Sequence, residues 1–118
     1  MPEPLFTYPK KEKLKSRKII KHIFEQGESI KTYPILIRYV ENDLEYPQVG
    51  VSVSKRNFKN AVDRNRIKRQ LREAYRLHKG QLTNKGKNHS IMILYIGKTH
   101  LGSEKIHKVV HTLLNKIK

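Results

Sequence analysis

The chain has 118 residues without cysteine or tryptophan, and its 26 Lys plus Arg outnumber 10 Asp plus Glu, for a formal charge of +16. That length suits one domain with a modest core, and the absent cysteines exclude disulfides, thiolate zinc sites and cysteine nucleophiles. So large a charge excess opposes compaction by self-repulsion and points to a polyanionic partner, nucleic acid ahead of an anionic membrane surface.

No apolar run approaches the ~18 residues of a bilayer span, and a continuous signal-peptide stretch is absent, so the cytoplasm is the expected compartment. Residues 1–13 are expected to form a flexible basic arm. Pro2, Pro4 and Pro9 oppose regular structure, and Lys10, Lys11 and Lys13 follow. Leu5, Phe6 and Tyr8 either pack locally or stack on a base. Residues 14–118 then make a single domain.

A first helix is predicted from Ser16, which caps it, to Gly27, with Ile19, Ile20, Ile23 and Phe24 as its apolar face. Residues 33–41 alternate as a strand, Ile35, Ile37 and Tyr39 against Leu36, Arg38 and Val40. The turn-like residues 42–47 predict that the next strand, 48–55, returns antiparallel. There Val49, Val51 and Val53 oppose Gly50, Ser52 and Ser54. Such a small-residue face either leaves a shallow floor for a ligand or admits a closely packed helix.

Asn60 is a good N-cap, and Asp63 three residues on resembles the acidic partner of a capping box. The helix so started runs to about Lys79, with Gly80 stopping it and residues 80–89 a polar loop. On a wheel of about 100° per residue, Ile67, Leu71, Ala74, Tyr75 and His78 share one side. Asn65, Lys68, Arg69, Arg72 and Arg76 fill a neighbouring arc, flanked by Arg64 and Arg66 near the positive end of the helix dipole. Such an arrangement is either a polyphosphate receptor or a solvated basic face. The apolar run 90–96 predicts a strand buried on both faces, hence central and parallel to a neighbour. Ser103 is expected to cap a last helix whose Ile106, Val109, Val110, Leu113, Leu114 and Ile117 repeat at three and four residues. The order is helix, strand, strand, basic helix, strand, helix.

Nothing in this pattern supplies catalysis by the protein itself. A nuclease needs a carboxylate cage or a His-centred acid–base pair, whereas the carboxylates here are scattered and no catalytic or metal-binding residue is assigned. His107 and His111 lie four apart but without the glutamate of a zincin, and read as a solvated face. His22, His78, His89 and His100 show no partner spacing.

The segment Lys55-Arg56, followed by Ala61-Val62-Asp63-Arg64-Asn65-Arg66-Ile67-Lys68-Arg69-Gln70-Leu71-Arg72-Glu73, resembles the protein subunit of bacterial ribonuclease P. The likeness extends over roughly residues 14–115. It implies an α+β fold, a two-layer αβ sandwich shared with a ribosomal-protein domain, with the Arg-rich helix in a left-handed βαβ crossover. It also implies a protein that assists a catalytic RNA in removing the 5′ leader from precursor tRNA, one protein per RNA. The Mg²⁺ is required by the RNA-containing holoenzyme, and the protein alone binds no cofactor.

By position, the resemblance places Arg64, Asn65, Arg66, Lys68, Arg69 and Arg72 on the catalytic RNA. Lys55 and Arg56 extend that surface, and Arg76 continues the basic arc. A leader-binding cleft maps onto Ile20, Phe24, Leu36, Arg38 and Ser52. Ile20 and Arg38 stand where the family often has aromatics, so Arg38 is expected to offer a phosphate contact or its guanidinium plane. The turn Asn57-Phe58-Lys59 is one residue longer than in many members. A stand-alone RNA-binding or ribosomal protein is the alternative of a different class, although it would not need the asparagine at 65.

Overall fold

The computed structural model describes residues 10–80 and 87–117. After a short 3-10 turn, Lys10–Glu12, the elements are α1 (Arg17–Gln26), β1 (Glu28–Thr32), β2 (Ile35–Asn42), β3 (Gln48–Val53), α2 (Ala61–His78), β4 (Asn88–Tyr95) and α3 (Ser103–Lys116). The four strands form one sheet in the order β1-β2-β4-β3. Pairs β1/β2 and β2/β4 are antiparallel, and β3/β4 is parallel.

Alternation in β2 and β4 builds the core. Ile35, Ile37 and Tyr39 lie opposite Tyr95, Ile93 and Ile91, so one face of the sheet is a block of buried side chains. Ile67, Leu71, Ala74 and Tyr75 of α2 and Ile106, Val110, Leu113 and Leu114 of α3 seal it. Fully burying a side chain of this size is worth about 1.5–3 kcal/mol, so α2 is fixed by its apolar stripe and not by its cations. Helix α1 packs on the other face through Ile23, against Leu14 and Met92.

The α+β architecture agrees with the sequence, and β4 is the buried interior strand expected there. Four details differ. Strand β1 has no counterpart in the sequence pattern, because its Glu-Ser-Ile-Lys-Thr has one apolar residue and no alternation to read. Tyr33 and Pro34, joined by a cis peptide, form the turn between β1 and β2, and β2 begins at Ile35 rather than Tyr33. Strand β3 does run opposite to β2, but β4 is inserted between them; α2 therefore spans a parallel β3–β4 crossover. Ser103 is the first residue of α3, and Gly102 occupies the cap position without a side-chain bond.

The two other caps form as expected. Ser16 Oγ accepts from the Ile19 N–H (3.3 Å) and Asn60 Oδ1 from the Val62 N–H (2.8 Å). At the end of α1, Gly27 has φ −74°, so its need is for space rather than left-handed backbone. An added Cβ would lie 2.3 Å from the Ile23 carbonyl oxygen.

Residues 1–9 of the expected arm lie outside the described residues, as do 81–86 of the expected loop. Residues 10–13, however, are docked. Glu12 is buried, Lys13 bridges Val49 in parallel fashion, and Leu14 N–H donates to the Val49 carbonyl at 3.0 Å.

Candidate nucleic-acid interface

Helix α2 presents its basic residues as the wheel suggests. Asn65, Arg66, Arg69 and Arg72 are exposed, while Arg64 and Lys68 are half-buried. Asn65, Arg66 and Arg69 line a shallow depression of about 310 Å³ beside the exposed Val62. Lys55 and Arg56 are exposed on the turn after β3. That turn is held by a Phe58 N–H bond to the Ser54 carbonyl (3.0 Å) and by Asn57, whose amide donates to the Ile96 and Gly97 carbonyls (both 3.3 Å).

Two of the expected RNA ligands are engaged within the protein. Arg64 donates to the carbonyls of Phe58 and Lys59 at 2.8 and 2.9 Å, so it splints the turn to α2. Arg76 donates through Nε to Glu73 Oε2 at 3.0 Å and pairs again through its terminal nitrogen. The hydrogen bond from Arg76 holds the Glu73 carboxyl below its ordinary pKa. Arg76 therefore brings a compensated charge, and the uncompensated part of the stripe is centred on Arg66, Arg69 and Arg72.

The expected cleft residues share one face of the sheet. Leu36, Leu94 and Ser52 form one cross-strand row, and Arg38, Met92 and Gly50 the next. Helix α1 lies over this face with Ile20 half-buried and Phe24 44% exposed. Between α1 and β3 runs a groove of about 400 Å³ that includes Ile20, Gly50 and Met92 and is also lined by Arg72. Arg72 thus belongs to both surfaces, joining the basic stripe to the cleft.

Arg38 is engaged within the protein. Its guanidinium donates to the Phe24 carbonyl (3.0 Å), the Gly27 carbonyl (3.2 Å) and Ser29 Oγ (3.4 Å), and Phe24 lies 5.9 Å from its Cζ. It satisfies carbonyls at the end of α1, where a cation suits the helix dipole. The cations that line the groove in its stead are Lys13 and Lys15, which the sequence assigns to an arm or leaves without a role. The basic run is legible in the sequence; its docking on β3 is not.

Toward the β1–β2 edge the sheet has another character. A pocket of about 340 Å³ there contains Glu28, which accepts from the Tyr39 hydroxyl at 2.9 Å, and Glu41, which lies 3.6 Å from Lys87. Among the described residues no three His, Cys, Asp or Glu side chains gather so as to hold a metal ion. No helix of the described residues is long and apolar enough to cross a membrane.

The histidines are less scattered than their spacing suggests. His78 of α2 meets His107 and His111 of α3, with ring centroids 5.7 and 4.9 Å apart. Burial, then the charges of His111 and His107, hold the His78 pKa below its ordinary 6.5. The unfolded chain therefore takes up this proton more readily than the folded one. The stabilising contribution is complete above about pH 6.5 and is lost below it, as pH falls through the lower pKa of the folded state. The urea midpoint is expected to decline from about pH 7 to pH 5, and less steeply in His78→Gln. An equal decline in both proteins would remove His78 as the cause.

Fold and surface together define a small α+β protein whose basic helix and adjoining groove form one cationic surface. The ribonuclease P family model matches residues 8–118, and the chain belongs to that family. The ribonuclease P protein component of Porphyromonas gingivalis is 40% identical over 84 residues, covering 69% of this chain and 61% of that protein. The ribonuclease P protein component of Petrotoga mobilis is 42% identical over 73 residues, 62% of this chain and 61% of its own. The chain thus spans about three fifths of the length of these curated relatives. In structure it is similar to the RNase P protein of Thermotoga maritima (TM-score 0.78, 24% identity, 91% of this chain and 98% of that one). The RNase P protein of Staphylococcus aureus gives a TM-score of 0.75 at 24% identity, covering 87% and 92%. These two likenesses bear on the fold.

Proposed function

We propose that this protein is the RNA-binding component of ribonuclease P, assisting a catalytic RNA in endonucleolytic removal of the 5′ leader from precursor tRNA. The observation that carries the reading is Arg72, which stands in the exposed basic stripe of α2 and also lines the groove under α1. Cations on the stripe meet phosphates of the catalytic RNA and set position without reading sequence. The groove takes the leader as an extended single strand, held by charge and by contact with its apolar floor, with little base preference.

Chemistry in this reading belongs to the RNA and its Mg²⁺, and the protein supplies no catalytic residue. Its positive surface offsets repulsion between two polyanions, which is otherwise the task of Mg²⁺, so the requirement for the metal falls. One protein serves one RNA, in the cytoplasm.

Mixing the protein with a bacterial ribonuclease P RNA and precursor tRNA at limiting Mg²⁺ tests this directly. Leader release is expected only when both macromolecules are present. Binding of RNA without any gain in cleavage would favour a stand-alone RNA-binding protein, and cleavage by the protein alone would overturn the division of labour. A bulky residue at half-buried Ser52, beside Leu94 on the cleft floor, is expected to lower affinity for precursor tRNA several-fold more than for mature tRNA. Ser52 shares this sheet face but does not itself line the groove, whose lining takes Ile20 alone of the expected cleft residues; an unchanged ratio would dismiss the face around Ser52 as part of the leader site.

A further inference from the structure

Resting on the ribonuclease P reading, we propose that residues 10–15 are a fixed wall of the groove, in which Lys13 and Lys15 join Arg72 to clamp the phosphates of a single strand. Glu12 is the residue that positions them. Glu12 is buried and accepts from the Tyr75 hydroxyl at 2.7 Å and from Lys79 Nζ at 3.2 Å on each carboxylate oxygen. Both partners lie toward the C-terminal end of α2, so the carboxylate ties the segment to the helix that bears Arg72.

Two residues further on, the segment is seated on β3. Leu14 is buried, its N–H bonds to Val49, and its carbonyl oxygen would lie 3.3 Å from a Cβ at position 50. A Cβ at 50 would also lie 2.7 Å from Met92 Sδ, so glycine there leaves room for both the segment and the Met92 side chain. Lys13 and Lys15 flank the buried Leu14 and are both exposed. Side chains two apart on extended backbone share a side, and both lysines line the groove.

Lys13, Lys15 and Arg72 are the ionisable residues lining this groove, and all are cations. Like charge on Lys13, Lys15 and Arg72 opposes this approach. Glu12 offsets that repulsion from within the protein, through Tyr75 and Lys79. The result is a cationic rim over a floor of Gly50 and Met92, suited to a sugar–phosphate chain of any sequence.

The test uses the protein assembled with ribonuclease P RNA, titrated with precursor and mature tRNA over a range of salt. Wild type is expected to prefer the precursor. Lys13→Ala with Lys15→Ala should remove several-fold of that preference, lower the salt slope for the precursor by about 1.4 for two single-strand contacts, and leave mature tRNA binding and thermal stability unchanged. Glu12→Gln should reproduce the loss, with the lysine pair adding little on top, and Glu12→Asp should recover most of it. An unchanged precursor preference in the lysine variant overturns the clamp, even if Glu12→Gln fails to fold. Fully additive losses overturn the positioning role of Glu12. If wild type itself shows no preference for the precursor, the leader-binding reading fails first and the clamp with it.

Discussion

Alanine at Arg66, Arg69 and Arg72 together is expected to cripple assembly with the catalytic RNA while leaving the fold intact. All three side chains are exposed, and the buried stripe of α2 is carried by Ile67, Leu71, Ala74 and Tyr75. Removing a charge-assisted hydrogen bond to phosphate costs about 1.5 kcal/mol or more, so removing three weakens binding roughly a thousandfold. The salt dependence of binding should flatten by about 2 to 3 in slope. The thermal midpoint should stay within a few degrees or rise, because removing like charges relieves self-repulsion. Parallel loss of stability and binding would show that these arginines serve the fold. Arg64 makes a poor companion for this experiment. Its bonds to the Phe58 and Lys59 carbonyls mean that replacing it disturbs the turn bearing Lys55 and Arg56 as well as removing a charge.

The largest stability effect is expected at Glu12. Glu12→Ala leaves Lys79 buried without its carboxylate and strips the Tyr75 hydroxyl of its 2.7 Å acceptor. Breaking a buried pair by removing one partner costs about 3–5 kcal/mol, which corresponds to a drop of roughly 10 °C or more in the thermal midpoint. Removing both charges is a different matter. Glu12→Leu with Lys79→Met and Tyr75→Phe replaces the polar cluster by apolar side chains of similar size, and should recover most of the stability. Calorimetry or urea melts of the two proteins decide it. A single mutant as stable as wild type would mean that the cluster contributes nothing.

Glu12 also marks the limit of what the residues disclose on their own. It lies 63 positions from Tyr75 and 67 from Lys79, in a stretch whose prolines and lysines read as an arm, and no local pattern announces so distant a partner. The internal partners of Arg38 are hidden for a related reason. Its alternation in β2 correctly puts it on the cleft face, but its guanidinium is consumed by carbonyls of Phe24 and Gly27, which only the placement of α1 reveals. The meeting of three histidines joins α2 to α3 and is hidden in the same way.

What is legible rests on period and capping. The alternation in β2 and β3, the apolar run of β4 and the three- and four-residue repeat of α3 each report which side faces the core, because burial outweighs local preference. Ser16 and Asn60 mark helix starts because a side-chain oxygen must satisfy an otherwise unpaired N–H. Strand β1 carries neither signal: it is recruited by pairing with β2, as Ser29 opposite Arg38 and Ile30 opposite Ile37 show. The basic arc of α2 is visible on the wheel. Its division into Arg76, paired with Glu73, and the uncompensated Arg66, Arg69 and Arg72 depends on side-chain geometry that no wheel contains.

The most direct measurement exploits the absence of cysteine, which lets a single introduced thiol carry a photocrosslinker. With the label at Ser52→Cys in one sample and Arg66→Cys in another, each protein is assembled with ribonuclease P RNA and leader-bearing precursor tRNA. Crosslinks from position 52 should fall on the leader and vanish with mature tRNA, whereas those from position 66 should fall on the catalytic RNA with either substrate. Leader-independent crosslinks from 52, or a catalytic RNA untouched from 66, would contradict a basic helix and groove that hold two RNA strands side by side.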